Sequence, residues 1–140
     1  MRVHVTVAVL AATLATGLAG CTATGANSSS TKFTGEQGKV AAKIGDLQSD
    51  GSGGKAADVC DNVVTGDLKA KLAAPGSTCE QEMKKAMQDA DGFDLEVTGV
   101  QVNGPKATAT VRSKGRGSTK ITRTFGLTKG PSGWRISSFG

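Results

Sequence analysis

The sequence predicts an α+β fold, three to four N-terminal helices packed on a curved, cone-like sheet of four antiparallel strands. Three observations carry this expectation. Apolar residues recur at helical spacing up to Ala90; from Phe93 onward they recur at a spacing of two; and clusters of Gly, Pro, Asn and Asp fall at each change of direction.

The helical half begins at Gln37, where Val40, Ile44 and Leu47 share one face, and is expected to stop at Asp50-Gly51-Ser52-Gly53-Gly54. A second helix spans Lys55 to about Val64, with Ala56, Cys60 and Val63 on its inner side. A short third piece, Gly66 to Ala73, presents Leu68 and Leu72 and ends before Pro75-Gly76. The fourth helix is the best marked. Thr78 and Gln81 have the spacing of a capping box, in which each side chain satisfies a backbone N–H of the other. Cys79, Met83, Ala86, Met87 and Ala90 then form the expected apolar face, and Asp91-Gly92 closes the helix.

In the strand half, Leu95 and Val97 alternate, as do Val100 and Val102, with a slip at Thr98-Gly99 that predicts a bulge. Asn103-Gly104-Pro105 turns the chain into Ala107, Ala109 and Val111. The glycines beside Arg116 turn it into Ile121, Arg123, Phe125 and Leu127, and Lys129-Gly130-Pro131-Ser132-Gly133 leads to a last strand, Trp134 to Phe139. Connections this short make the strands antiparallel neighbours. Residues 36–140 suffice for one modest domain and are too few for two.

The N-terminus has a different character. Met1–His4 is short and basic, and Val5–Ala19 is apolar apart from Thr6, Thr13 and Thr16, a run too short to span a bilayer comfortably and laid out like a secretory signal. It closes on Leu18-Ala19-Gly20-Cys21. That run resembles the lipobox of bacterial lipoproteins, and the resemblance implies cleavage after residue 20 with a diacylglycerol on Cys21, anchoring the chain to the outer, extracytoplasmic face of the cell membrane. Two acyl chains, at about 0.8 kcal/mol per buried methylene, hold stably where one is marginal. The other reading is a plain secreted protein in which Cys21 is a leftover thiol. Residues 21–35, rich in Thr, Ser, Gly, Asn and Ala, cannot bury a core and are read as the lipidated residue and a flexible tether.

With one of the three cysteines assigned to lipid, Cys60 and Cys79 remain, both on apolar helix faces and both in a compartment that permits oxidation. A structural disulfide is expected. A redox pair is the alternative, but the spacing is far from Cys-x-x-Cys. No zinc or other metal site is expected, because two thiolates without histidine leave a tetrahedral site incomplete.

Helices with a cysteine on either side of a Leu-rich connector, from Asp61-Asn62-Val63-Val64 through Leu68-Lys69-Ala70-Lys71-Leu72 to Cys79, precede four strands ending in Gly133-Trp134-Arg135-Ile136. This layout resembles small bacterial lipoproteins of the nuclear transport factor two-like superfamily. The resemblance covers residues 36–140 and implies a cone in which the sheet wraps a long helix and leaves a pocket at its open end. Phe93, Phe125 and Trp134 are the candidate lining. Polyketide cyclases and ketosteroid isomerases of that superfamily place Asp, His or Tyr in the pocket. This chain has no Tyr, and its single histidine, His4, belongs to the segment read as signal.

The expected function is accordingly non-catalytic: a membrane-anchored lipoprotein that binds a small apolar ligand or an envelope protein, with no cofactor. The charge pattern supplies a second expectation. All 12 acids lie at or before Glu96, while Lys106, Arg112, Lys114, Arg116, Lys120, Arg123, Lys129 and Arg135 follow it with no acid among them. Arg112, Lys114, Arg116, Lys120 and Arg123 could press a basic sheet against anionic headgroups or wall polymers, or could simply keep exposed strands soluble and unpaired. Nucleic acid is not an expected partner, since the compartment is wrong and aromatics do not interleave with the basic residues. A third expectation is an isomerase-like enzyme working with a lone carboxylate, Asp94 or Glu96, which requires that carboxylate to lie inside the pocket with a raised pKa.

Overall fold

A 3-10 turn, Ser30–Lys32, leads into α1, Gly35–Ser52, an 18-residue helix about 27 Å long. The structure, a computed structural model, describes residues 30–90, 92–114 and 119–140. After α1 come α2, Ala56–Asp58, continued by a π turn at Val59–Val63, then α3, Gly66–Leu72, and α4, Cys79–Asp89. Four strands complete the domain: β1, Leu95–Asn103; β2, Lys106–Lys114; β3, Lys120–Gly130; β4, Gly133–Ser138. They form one antiparallel sheet in the order β1-β2-β3-β4. The fold is therefore the α+β arrangement predicted.

Val40, Ala41, Ile44 and Leu47 bury the face of α1 that lies against the sheet. They meet Val97, Val100, Ala107, Ala109, Val111, Phe125, Leu127, Trp134 and Ile136, the inward positions of all four strands, in one continuous core. The helix continues through Asp50, Gly51 and Ser52 and ends within the expected stop. Gly51 stays helical because the ring of Phe93 lies directly on it: a Cβ there would stand 2.5 Å from Phe93 Cδ1. Termination comes three residues later in a Schellman pattern, with Lys55 N–H bonded to Asp50 O, Gly54 N–H bonded to Gly51 O, and Gly54 at φ +67°.

The domain also starts earlier than expected. Phe33, placed in the tether by the sequence, packs against the core. Its carbonyl oxygen lies 2.9 Å from where a Cβ on Gly38 would be, so the close approach of chain and helix depends on that glycine. Phe33, inside the expected tether of residues 21–35, thus belongs to the packed domain.

The second predicted helix splits. Its apolar residues are buried as expected, but the backbone widens to i→i+5 bonding, with Val64 N–H donating to Val59 O. Arg135 from β4 donates to Asp61 O and Val64 O, carbonyls that the helix end leaves free. Val64 then pairs with Ile136, fixing this segment to the sheet.

Thr78 and Gln81 form the capping box, with Gln81 N–H donating to Thr78 Oγ1 and Thr78 N–H donating to Gln81 Oε1. The face of α4 is narrower than predicted. Cys79 and Met83 are buried and Met87 partly so, while Ala86 and Ala90 are exposed, because α4 packs on α2, the π turn and α3. Cys60 and Cys79 are joined by a disulfide. In the sheet, the β1–β2 register slips between Val97 and Gly99, the predicted bulge.

Candidate functional site

The most densely connected polar group lies where α1 meets the β3–β4 hairpin. Glu36, in the first turn of α1, accepts hydrogen bonds from Trp134 Nε1 at 2.9 Å, Lys129 Nζ at 2.8 Å and Lys39 Nζ at 2.8 Å. Bonding to Lys129, then to Lys39 and Trp134, holds its carboxyl at about 2 against an ordinary value of 4.5. Lys129 also stands 5.9 Å from the centre of the Trp134 ring, within cation–π range. Beside this cluster opens a shallow recess of about 310 Å³ lined by Ala42, Lys43, Asp46 and Gly133 together with Lys39, Lys129 and Trp134. Its floor is apolar, and three ammonium groups stand around it, with Lys43 paired to Asp46 at 2.7 Å.

The three aromatic candidates have different neighbours. Phe93 covers Gly51. Phe125 is buried and meets Phe139 edge-on at 5.3 Å. Trp134, 3% exposed, seals the other end of the core and alone of the three lines the recess beside Lys43. Two further recesses, about 290 Å³ around Thr108, Gly126 and Ser137 and about 230 Å³ around Ser52, Lys84 and Met87, hold none of these aromatics.

The basic candidates are also divided. Arg112 pairs with Glu96 at 3.4 Å and Lys114 with Asp94 at 3.1 Å, so two strand cations are neutralised by the acids just before them in the chain. Arg123 donates to Gly140 O at 3.0 Å. Lys120 is exposed and has no carboxylate partner among the described residues. Arg116 and Cys21 lie outside the described residues. Asp94 and Glu96, proposed as lone carboxylates, are surface ion-pair partners with side chains 60% and 44% exposed; neither is enclosed in a pocket.

Among the described residues no group of His, Cys, Asp and Glu is arranged to hold a metal ion, and no buried side-chain polar atom lacks a partner. No described helix is long and apolar enough to cross a membrane. What sequence reasoning missed is Glu36 and Lys39. A carboxylate at a helix start reads as a dipole complement, and the partner that gives Glu36 its role, Trp134, is 98 residues away.

No family model matches the chain, and no curated protein matches it. Among solved structures, it is similar to a SEC-C motif containing protein from Rhodopseudomonas palustris, determined in solution. The likeness has a TM-score of 0.54 at 14% identity and covers 71% of this chain and 75% of that one. At that identity the likeness concerns the fold alone, and it agrees with helices leading into a four-stranded antiparallel sheet.

Proposed function

We propose that this chain is a bacterial lipoprotein, anchored through Cys21 to the extracytoplasmic face of the cell membrane, whose α+β domain works without catalysis as a binding module. The observation that carries the reading is the run Leu18-Ala19-Gly20-Cys21 at the end of an apolar segment of signal-peptide length. The short segment from Cys21 to Ser30, where the described domain begins, suits a tether.

The recess beside Trp134 supports the binding half of the proposal. Its apolar floor of Ala42, Gly133 and the edge of Trp134 suits a small apolar body, and Lys39, Lys43 and Lys129 suit an acidic group on that body. The likeness to the nuclear transport factor two-like layout belongs to the same proposal, as a reason to expect a bound ligand and no reason to expect a reaction.

Mass spectrometry of the N-terminal peptide from the native host tests the anchor. The expected result is a diacylglycerol-modified Cys21 at the new N-terminus, lost in Cys21→Ser; an unmodified Cys21 overturns it. Native mass spectrometry of the intact chain tests the binding. A co-purifying small molecule that is displaced by Ala42→Leu, a change at an exposed helix position on the recess floor, supports the site, and a ligand unaffected by it places binding elsewhere.

A further inference from the structure

The run Lys120–Thr124 at the start of β3 is exposed at five consecutive positions, on both faces of the strand. Two features of the topology leave it so. Strand β4 ends opposite Gly126, so beyond that point β3 has β2 on one edge only. The helices also fall short of it: Ile121 and Arg123 share the β3 face that carries Phe125 and Leu127 into the core, yet both are exposed.

This end gathers what the rest of the surface lacks. Ile121 at 38% and Phe139 at 37% are the exposed large hydrophobic residues of the described chain. Phe139 lies on Phe125, two positions along the same face from Arg123, so both exposed apolar side chains flank one arginine. Arg123 shares their face, while Arg112, Lys114 and Lys120 stand on the other face of the same end, with Asp94 and Glu96 as the acids beside them and Lys32 reaching Glu96. A sheet end with exposed apolar side chains on one face and an excess of cations over its two faces suits an anionic lipid surface met end-on, where the cations meet headgroups and the apolar side chains enter the interface.

The path of the chain points the same way. Lys32, in the 3-10 turn where the described domain begins, lies 3.9 Å from Glu96. Glu96 pairs across to Arg112, and Arg112 to Thr122, in one row of the sheet. Two strand spacings, about 10 Å, therefore separate the Glu96 that Lys32 reaches from Thr122 in the exposed run. Nine residue steps, a span of at most about 30 Å, join Cys21 to Ser30.

We infer that the Lys120–Thr124 end of the sheet, with Phe139, is the face by which the domain docks on the anionic lipid of the membrane that anchors it. The inference rests on the anchor at Cys21 for its orientation and on the surface itself for its chemistry. It gives the tether a second role: holding this face, and leaving the recess beside Trp134, at the opposite end of β3, turned toward solution.

The test reads hydrogen exchange of the full lipidated chain reconstituted in vesicles containing 30% phosphatidylglycerol, on the order of a bacterial membrane's anionic fraction, or in phosphatidylcholine alone. Amides of residues 120–124 are expected to be protected on the anionic vesicles and not on the neutral ones. The docked-to-free ratio should fall about fivefold in each of Lys120→Gln and Arg123→Gln. Ile121→Ser should lower it further, and Lys106→Gln, at the far end of β2, should leave it unchanged. Equal protection on both vesicles, insensitivity to Lys120→Gln and Arg123→Gln, or protection by soluble polyphosphate and not by vesicles, each overturns the inference. The acyl mass on the N-terminal peptide is recorded in the same sample. An acylated chain without protection fails the docking and leaves the anchor standing. If acylation is absent, the anchor fails, and exchange with vesicles added in trans decides the docking by the same criteria.

Discussion

Glu36 shows how one side chain joins two halves of a chain that were separated by charge. Its carboxylate receives an indole N–H and two ammonium groups, and it does so from the first turn of α1, where the helix dipole also favours negative charge. The folded carboxyl titrates at about 2, below its ordinary 4.5. A depressed value means that the native state is favoured by the charged form above about pH 4.5 and that this advantage disappears as pH falls through about 2. The Glu36→Gln variant keeps an acceptor for the indole but cannot titrate. It should be less stable than the parent at pH 7, and the difference should shrink as pH is lowered through that window. Urea unfolding followed by the fluorescence of Trp134, the single tryptophan, measures both. A difference that stays constant from pH 6 to pH 2 would show that the carboxylate's charge does not contribute.

At the scale of elements, Gly51 sets local preference against tertiary packing. Alanine in a helix is favoured over glycine by about 1 kcal/mol. Here, however, the added Cβ would stand 2.5 Å from the Phe93 ring, and the ring would have to move off the helix. Gly51→Ala is therefore expected to destabilise by about 1–2 kcal/mol despite its propensity. Phe93→Leu should relieve part of that cost, a non-additivity that a double-mutant cycle detects. The Thr78→Ala substitution, by contrast, removes a purely local cap and should cost about 1 kcal/mol in thermal or urea unfolding, independently of either change. The same division explains what could be read from the sequence. The capping box at Thr78 and Gln81, the slip at Thr98-Gly99 and the change of period at Phe93 are written within a few residues of where they act. The helix running through Gly51 depends on Phe93, the inclusion of Phe33 depends on Gly38 and the core, and the π turn at Val59–Val63 is completed by Arg135. Each of those partners is hidden by sequence distance or by a contact that periodicity does not encode. The site was legible to the same degree: Trp134 stood out as a candidate lining residue and Lys129 as a strand cation, while Glu36 had no local sign of its role.

For the whole molecule, the charge asymmetry of the sequence becomes a set of cross-links. Lys129 reaches Glu36, Arg112 reaches Glu96, Lys114 reaches Asp94, and Arg135 caps the carbonyls of the π turn, so four of the eight strand cations are engaged by the earlier part of the chain. Exposed pairs of this kind each contribute little, and the disulfide is the stronger tie within the helical half. Cys60 lies in the π turn, which is fixed to β4 through Val64 and Ile136, and Cys79 begins α4, which packs on α2, α3 and the π turn. The bond therefore fastens the most peripheral helix to the segment that touches the sheet. Closing a loop with a sequence separation of 19 stabilises by about 3 kcal/mol in the chain-entropy model. The Cys60→Ala/Cys79→Ala variant should lose roughly that amount in urea unfolding. The loss should also be uneven: backbone amides of α4 should exchange faster by a larger factor than those of β2 and β3, whose pairing and core contacts with α1 do not pass through the bond. Uniform acceleration across helices and sheet would instead mean that α4 and the sheet unfold as one cooperative unit, and the disulfide would then act on the domain as a whole.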